Sequence, residues 1–506
     1  MPTWIQRRHE NALLSDGGSI VQHSSPPGKW CTRGSALSTN VDASTSCQPG
    51  LHAKLPQAVD VLVVGLGALG ATIANLLARY GVHVMAIDKA IDSPTMHGAI
   101  ALNNDALRIL QMIGITERDF DATAMPHVRM RRPAFGKFSM VNNLHGHPKF
   151  VSVHQHDLEH CLRQQLERDD CADMVVGATL TDFASKQDCI IATLDLGHGR
   201  RYSVETRYLI SADGAHSLVR KLIEQNSKAR IFAQDGNHED MESTASRRVF
   251  LAGDAAYTAP PWLDQDLATG LHDAANLCWK LAWVIYDHAD AQILDTYDEE
   301  RRPHMNAMMG FGNFIRKCVT PRHRGPGLIM HGLLRLLRCV SPWPTYLQEL
   351  GINPRNIFRR GLFVKQNKGE KLAHGSPLPQ TRVRGSDGTT RLSDDVLGRG
   401  FALIGFGVDV SSFLDASIAA AFAAAGGSIV QIIHRGQRLH VEAHGAWEDL
   451  DSAFLPRLVS VGWAAVIRPD KIIIHDGPAT DANRLIRESL TLLGLPINFL
   501  KFSLWG

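Results

Sequence analysis

The chain has 506 residues, enough for two or three domains with hydrophobic cores of their own. Hydrophobic residues make up 44% and charged residues 21%, which is typical of a globular protein. The 53 Lys and Arg nearly balance the 51 Asp and Glu, and this balance excludes a strongly basic chain of the kind that binds nucleic acid or a membrane surface. The eight cysteines have neither a C-x-x-C nor a zinc spacing, which favours reduced thiols.

The first residues, MPTWIQRRHENALLSDGG, contain no hydrophobic run of the length that a secretory signal needs. The most membrane-like run, residues 418–433, includes Gly426, Gly427 and Ser428 and is too short to span a bilayer. We therefore expect a cytosolic (cytoplasmic) protein with no nucleic-acid or membrane partner. Residues 1–56 are rich in Ser, Thr, Gly and Pro without any hydrophobic period, which predicts a disordered leader.

The strongest local pattern lies in residues 59–88. A β-branched run is followed by Gly65, Gly67 and Gly70 at G-x-G-x-x-G spacing, and then by an amphipathic helical pattern. Gly65 permits a sharp turn, Gly67 lets a pyrophosphate approach the backbone, and Gly70 lets the helix pack closely on the strand. A second strand ends at Asp88, whose carboxylate can accept hydrogen bonds from a ribose. The unit predicts a dinucleotide site; a glycine turn without a ligand is the alternative.

A second amphipathic helix is predicted over residues 155–166. His154, His156 and His160 cluster at its start, and histidines in such a group are candidate metal ligands. No carboxylate or cysteine constellation accompanies them, so we predict no metal site.

Two further predicted strands end in acidic turns. Asp213-Gly214 follows one of them and precedes a helix that contains Arg220, and Gly253-Asp254 ends the other. Ligands bind at the carboxyl ends of the strands in open α/β sheets, so these acids favour a shared cofactor site. Ordinary turn chemistry is the alternative, because Asp beside Gly is common in turns.

The glycine turn and the two acidic turns, in this order, resemble those of the FAD-dependent aromatic-ring monooxygenases. Within that family the resemblance is to the 3-(3-hydroxyphenyl)propionate hydroxylase and phenol hydroxylase group. The resemblance rests on the G-x-G-x-x-G turn, ADGAHSLVR, FLAGDAAYTAPP, DAANLCWKL, YDEERRPH and the C-terminal AAVIRPDKIIIHD. It implies an α/β fold, with a Rossmann-like FAD-binding domain of the para-hydroxybenzoate hydroxylase type over residues 57–320. A helical linker over residues 321–374 and a thioredoxin-like domain over residues 375–506 complete the expected organisation.

The resemblance also implies which residues bind FAD. The pyrophosphate would lie on the glycine turn, the adenosine ribose on Asp88, and the ribityl region near Asp254, while Asp213 and its neighbours border the FAD and the nicotinamide path. The implied cofactor-binding residues are Gly65, Gly67, Gly70, Asp88, Gln155, Asp213, Gly214, Arg220, Gly253 and Asp254.

The implied activity is hydroxylation of a small aromatic substrate, usually a phenol, with O2 and with NADH or NADPH as the reductant of FAD. The sequence identifies no catalytic base. No cysteine follows Cys339, so the C-terminal domain cannot carry dithiol chemistry. We expect a packing or dimer-interface role for it, the latter implying a homodimer.

Three departures from the family pattern bear on activity. Residues 220–248 are mostly polar and too short for the antiparallel sheet that the family inserts there, so either the substrate region is reduced or coding sequence is missing. Asp264-Gln265-Asp266 replaces a glycine-rich loop and adds negative charge near the flavin. Gly98 stands where an arginine usually follows the ribose acid. A catalytically impaired or vestigial FAD-binding protein of the same fold is therefore the alternative.

Overall fold

The computed structural model describes residues 55–92, 99–125, 127–129, 137–139, 146–225, 248–257, 266–306, 356–366, 369–437 and 445–494. Nearly all of the predicted leader, most of the predicted linker, Gly98 and the Asp264-Gln265 pair lie outside these residues. The segment 226–247, where we predict a reduced substrate region, also lies outside them.

The first half of the described chain contains twelve strands. They are β1 (Ala58–Val64), β2 (Val84–Asp88), β3 (Ala99–Asn103), β4 (Ala122–Ala124), β5 (His127–Arg129), β6 (Lys137–Ser139), β7 (Phe150–His154), β8 (Ala172–Val176), β9 (Thr179–Ser185), β10 (Ile190–Asp195), β11 (Arg201–Ser211) and β12 (Val249–Leu251). Seven of them form the main sheet in the order β8-β2-β1-β11-β10-β9, with β12 beside the end of β11. Strands β3, β7 and β4 form a smaller antiparallel sheet, and β5 pairs with β6.

The central strands of the main sheet are parallel, and β9 and β10 extend it as antiparallel strands. Strands β1 and β2 are almost fully buried, because helices cover both faces of a parallel sheet. The helices are α1 (Ala68–Arg79), α2 (Asn104–Met112), α3 (Gln155–Glu167), α4 (Leu218–Gln225), α5 (Asp266–Ile285) and α6 (296–306). Helix α1 packs against α3 and α5, so the turn between β1 and α1 is held on several sides.

The C-terminal part is built on a second seven-stranded sheet, in the order β14-β13-β17-β16-β15-β18-β19. Its strands are β13 (Arg382–Gly385), β14 (Thr390–Leu392), β15 (Phe401–Phe406), β16 (Gly427–Ile433), β17 (Ala446–Asp449), β18 (Trp463–Ile467) and β19 (Ile473–Pro478), and its helices are α7 (Ser393–Leu397), α8 (Ala416–Ala424) and α9 (Ala482–Thr491). Parallel β15 and β16 flank α8, and the antiparallel hairpin of β18 and β19 leads into α9. The thioredoxin-like assignment of this mixed sheet stays a prediction.

Aromatic and charged side chains connect the domain built on the first seven-stranded sheet with the domain built on the second. Trp279 and Trp283 of α5 pack edge-on against Phe401 of β15, and Trp283 Nε1 donates to Ala425 O at 3.0 Å. Arg468, just after β18, donates to both carboxylate oxygens of Glu300 at 2.6 and 3.0 Å. Within the described part of the chain, no helix combines the length and the hydrophobicity needed to cross a membrane.

Candidate functional site

A large cavity lies where the carboxyl ends of β1, β2, β11 and β12 meet. Its volume is about 720 Å³, within the range of roughly 300–1,000 Å³ that is typical of small-molecule sites. Residues at or just after the ends of the four strands line it, namely Gly65, Asp88, Asp213 and Asp254. The parallel register produces this convergence, because it brings the ends of neighbouring strands to one edge of the sheet.

The three glycines of the first turn have different surroundings. Gly65 has φ +101°, and a Cβ there would overlap the carbonyl of Ala212, while a Cβ on Gly70 would overlap the carbonyl of Gly65. A Cβ on Gly67 would meet only Glu159 Oε1, at 3.7 Å, and would otherwise point into open space. Gly65 and Gly70 are therefore required by the fold itself, whereas Gly67 leaves the cavity wall free for a ligand.

Asp88 is fixed at the cavity edge by two backbone amides. Its Oδ2 accepts the Leu66 N–H at 2.7 Å and its Oδ1 accepts the Ala90 N–H at 2.8 Å. The carboxylate retains further lone pairs, which the hydroxyls of a ribose can use. The local pattern of a strand ending in an acid predicted this position, and the binding of a ribose by Asp88 stays a prediction.

Helix α3 contributes two charged residues that the sequence analysis missed. Arg163 donates to Leu66 O at 3.0 and 3.2 Å and lies 4.0 Å from Asp88 Oδ2, and Glu159 Oε1 accepts the Ala68 N–H at 3.2 Å. Gln155 lies beside Glu159 and donates to its Oε1 at 2.8 Å. All three line the cavity. In the sequence these three residues are marked only by their spacing of four, which places them on one face of the helix. The packing of α3 on α1 directs that face toward the glycine turn.

The Asp213-Gly214 turn lies on the cavity wall, with Gly214 at φ +77°. The Asp213 carboxylate is largely engaged locally, because it accepts the Ser211 hydroxyl at 2.5 Å and the Leu218 N–H of α4 at 2.8 Å. Both alternatives for this residue thus have a physical basis: it borders the cavity, and it also closes its own turn.

Arg220 contacts backbone rather than the cavity. Its guanidinium donates to Ala215 O at 2.6 Å, to Ala255 O at 2.9 Å and to Asp254 O at 3.4 Å, and it is not among the described residues that line the cavity. It therefore ties the turn after β11 to the turn after β12. Its assignment as a direct cofactor ligand stays a prediction, and a positioning role fits its contacts.

Asp254 has the most distinctive environment. Its Oδ1 is buried without a hydrogen-bond partner in the described structure, and burial raises the pKa of its carboxyl. Gly253, with φ +57°, precedes it in a tight turn against Leu69. A buried oxygen without a partner costs free energy unless a ligand donates to it, so this position fits a hydroxyl-bearing group such as a ribityl chain.

A buried network lies behind this turn. Asp273 Oδ2 accepts the Gly253 N–H at 3.0 Å and the Tyr257 hydroxyl at 2.9 Å, and its Oδ1 accepts Arg301 Nε at 2.7 Å. Burial, with the nearby Asp273 charge, raises the pKa of Tyr257 well above its usual value, so the phenol remains a donor. The network holds the loop that presents Asp254 to the cavity.

The predicted histidine cluster does not form a metal site in the described structure. The rings of His156 and His160 lie side by side on α3 with centroids 6.4 Å apart, and with His154 they form no group of three converging ligand atoms among the described residues.

Comparison with known families agrees with this site. The FAD binding domain family matches residues 58–235 and 233–311, and the HcaD C-terminal domain family matches residues 375–492. The two FAD-domain matches meet at residues 233–235, inside the segment where we predict a reduced substrate region.

Individual proteins are similar over most of the chain. The 3-(3-hydroxy-phenyl)propionate/3-hydroxycinnamic acid hydroxylase 2 of Burkholderia vietnamiensis (strain G4 / LMG 22486) is 25% identical over 514 aligned positions, which cover 82% of this chain and 92% of that one. A similarly named hydroxylase of Shigella sonnei (strain Ss046) is 24% identical, covering 71% and 80%.

Solved structures share the fold. The OxyS anhydrotetracycline hydroxylase from Streptomyces rimosus has a TM-score of 0.66 at 21% identity, covering 87% of this chain and 100% of that one. The flavin-dependent monooxygenase PieE, solved with FAD and substrate, has a TM-score of 0.65 at 17% identity, covering 87% and 99%.

The chain belongs to the FAD-dependent aromatic-ring monooxygenases, as its three sequence motifs predicted. Its cofactor is FAD, and the open wall at Gly67 and the buried Asp254 Oδ1 suit that cofactor. The prediction of an α/β FAD-binding fold followed by a C-terminal domain of a different family is confirmed.

Proposed function

We propose that this protein hydroxylates a phenolic ring with O2, using NADH or NADPH as the reductant. In the overall reaction one oxygen atom replaces a ring hydrogen as a hydroxyl group, and the other leaves as water. NAD(P)H supplies two electrons and is oxidised to NAD(P)+. When bound, FAD supplies the redox chemistry that connects these steps. The observation that carries the proposal is the convergence of the glycine turn, Asp88 and the unpartnered Asp254 Oδ1 on one cavity.

The residues of the chain have distinct tasks in this proposal. Gly67 and the N-terminus of α1 receive the pyrophosphate, with the positive charge of Arg163 nearby. Asp88 orients the adenosine ribose, and Asp254 accepts a hydrogen bond from the ribityl chain. The Asp273 and Arg301 pair keeps the loop of Asp254 in place. Together these contacts hold the cofactor in one orientation and exclude water from its buried part.

For the substrate, we propose a phenol that bears an acidic side chain. The names of the two hydroxylases compared above, which act on 3-(3-hydroxyphenyl)propionate and 3-hydroxycinnamic acid, support this class. The ten cofactor residues, the domain bounds, a homodimer and a cytosolic location stay predictions.

The test uses the full-length purified protein. We expect a yellow protein whose visible flavin absorption bleaches on addition of NADH or NADPH under nitrogen, faster with a bound phenolic acid. In air, a panel including 3-(3-hydroxyphenyl)propionate and phenol should yield a product 16 mass units heavier for at least one member, since one oxygen atom is gained. A colourless protein that takes up no added FAD would overturn the proposal. Flavin that neither nucleotide bleaches would instead favour the vestigial alternative.

A further inference from the structure

Two histidines and two carboxylates meet in the C-terminal domain, away from the FAD cavity. Glu370 and His374 precede β13, and His475 and Asp476 lie on β19. Both histidines and Asp476 are buried, and the Glu370 side chain is 8% exposed. None of these four described residues lines the FAD cavity, so the hydroxylase function leaves the cluster unexplained.

The ligand atoms of the cluster converge. Glu370 Oε1 lies 3.7 Å from His475 Nδ1, Glu370 Oε2 lies 3.9 Å from His374 Nε2, and one ligand atom from each of these three residues lies within 4.8 Å of the others. Asp476 Oδ1 is 2.7 Å from His374 Nε2. Ligand atoms about 2.0–2.1 Å from a tetrahedral Zn²⁺ are about 3.3 Å from one another. The ligand atoms of Glu370, His374 and His475, which lie within 4.8 Å of one another, would have to approach one another by up to about 1.5 Å to bind one ion.

The remaining nitrogen of each imidazole has the partner that a metal-bound histidine usually has. His374 Nδ1 donates to Val364 O at 2.8 Å, and His475 Nε2 donates to Glu488 Oε2 at 2.7 Å. Metal-bound histidines typically donate their second N–H to a backbone carbonyl or a carboxylate, which fixes both tautomer and ring orientation. These two bonds direct His374 Nε2 and His475 Nδ1 toward Glu370. His475 Nδ1 carries a lone pair rather than a proton, because it accepts the Asp476 N–H at 3.1 Å, and an ion would take the place of this hydrogen bond.

The second carboxylate, Asp476, is oriented in the same way. Asp476 Oδ2 accepts Trp463 Nε1 at 2.6 Å and the backbone N–H groups of Lys371 and Leu372 at 2.9 and 3.1 Å. Three donors on one oxygen favour the ionised carboxylate and leave Oδ1 facing His374. The contacts around the ligands therefore orient the atoms that a cation would bind.

We propose that Glu370, His374 and His475, whose ligand atoms converge, bind one divalent transition-metal ion, with Zn²⁺ as the preferred ion and Asp476, beside His374, as the fourth ligand. Imidazole and carboxylate ligands suit Zn²⁺, and four protein ligands leave no open position, as in structural sites. The ion replaces the proton between His374 and Asp476 and joins the segment before β13 to β19. The sequence analysis missed this cluster because its ligands come in two pairs that only the fold brings together.

The experiment measures metal in the full-length protein, purified with a tag that contains no histidine. After incubation with Zn²⁺ and gel filtration, mass spectrometry should find about one Zn²⁺ per chain. A chelator should remove it and lower the melting temperature, and added Zn²⁺ should restore both. The double variant His374→Gln with His475→Gln should retain at least tenfold less Zn²⁺. The control His434→Ala removes an exposed histidine of the same domain and should retain as much as the wild type.

Two results would overturn the site. The first is a wild-type chain that retains no Zn²⁺, Co²⁺ or Cu²⁺ after gel filtration, which decides the matter even if the double variant does not fold. The second is a folded double variant that retains as much Zn²⁺ as the wild type. Neither readout depends on FAD or on hydroxylation, so failure of the metal site and failure of the proposed function are distinguishable.

Discussion

Asp254 faces opposite demands in the free and the FAD-bound protein. Because burial raises the pKa of its carboxyl, the FAD-free folded chain binds more protons here than the unfolded chain, and this contribution to stability is lost as the pH rises through the raised pKa. Asp254→Asn removes that loss, so the stability of the FAD-free variant relative to the wild type should increase with pH. Its FAD affinity should fall about tenfold or more, since a hydrogen bond to a charged group contributes about 1.5–3 kcal/mol.

Melting temperatures of the FAD-free proteins at pH 5 and pH 8 and a fluorescence titration with FAD measure the two effects. Asp188→Asn is the control, because the Asp188 side chain is 97% exposed. A variant that loses stability at pH 8 and binds FAD as well as the wild type would contradict the assigned role of Asp254.

The glycine turn allows the requirements of folding and of binding to be separated at two residues. Gly67→Ala meets little steric resistance at φ −67°, so the FAD-free variant should unfold at about the wild-type temperature while its FAD affinity decreases. Gly70→Ala should instead destabilise the chain by about 3 kcal/mol or more, because the new Cβ overlaps the Gly65 carbonyl. Urea unfolding and FAD titration of both variants measure this contrast, and equal destabilisation of the two would refute it.

At the scale of elements, α5 stabilises the loop after β12 through Asp273. Asp273→Asn leaves the buried Arg301 without its anionic partner, so we expect a loss of about 3–5 kcal/mol in the free energy of unfolding. Urea unfolding measures the loss. Asp298→Asn tests the neighbouring pair with Arg302, which is partly exposed and should contribute at most about 1 kcal/mol. Similar losses in the two variants would show that the buried pair of Asp273 and Arg301 contributes no more to stability than the partly exposed pair.

How much of the site the sequence could predict depends on which elements supply it. Gly65, Gly67, Asp88 and Asp254 line the cavity, and the sequence could single them out because each belongs to a strand and its following turn, where spacing along the chain determines geometry. Arg163 and Glu159 were not found, because their direction depends on the packing of α3 against α1.

At the scale of the whole molecule, a fully buried ion pair between Arg468 and Glu300 helps to link the two domains. Burial opposes ionisation of Glu300, but Arg468 and Lys280 outweigh it and hold the pKa of this carboxyl well below its usual value. The stabilisation is therefore present above the unfolded-state pKa of about 4.3 and is lost as the pH falls below it.

Arg468→Met should reduce the free energy of unfolding at pH 7 by about 3–5 kcal/mol and should make the remaining stability less sensitive to acid between pH 6 and pH 3. Urea unfolding across this pH range tests both effects. Arg382→Met, at the exposed pair with Asp451, should change stability by at most about 1 kcal/mol. An equally steep acid dependence in wild type and Arg468→Met would contradict the role of the pair.

The sequence analysis predicted two domains but not how they are joined. Resemblance to a family identifies domains by their motifs, whereas the pairing of Arg468 with Glu300 and of Trp283 with Ala425 depends on residues far apart in the chain. Such pairs show no period or spacing in a single sequence.

The strand order of the first sheet also has a consequence for biosynthesis. Strand β1 and its glycine turn leave the ribosome early, but β11 beside β1 and β12 beside β11 are made much later. The cavity lacks the wall that carries Asp254 until β12 has emerged and paired, and its loop is supported only after α5 and Arg301 have followed. A nascent chain that stops before these elements cannot enclose FAD. We therefore expect FAD to bind only in the last stage of the folding of this domain.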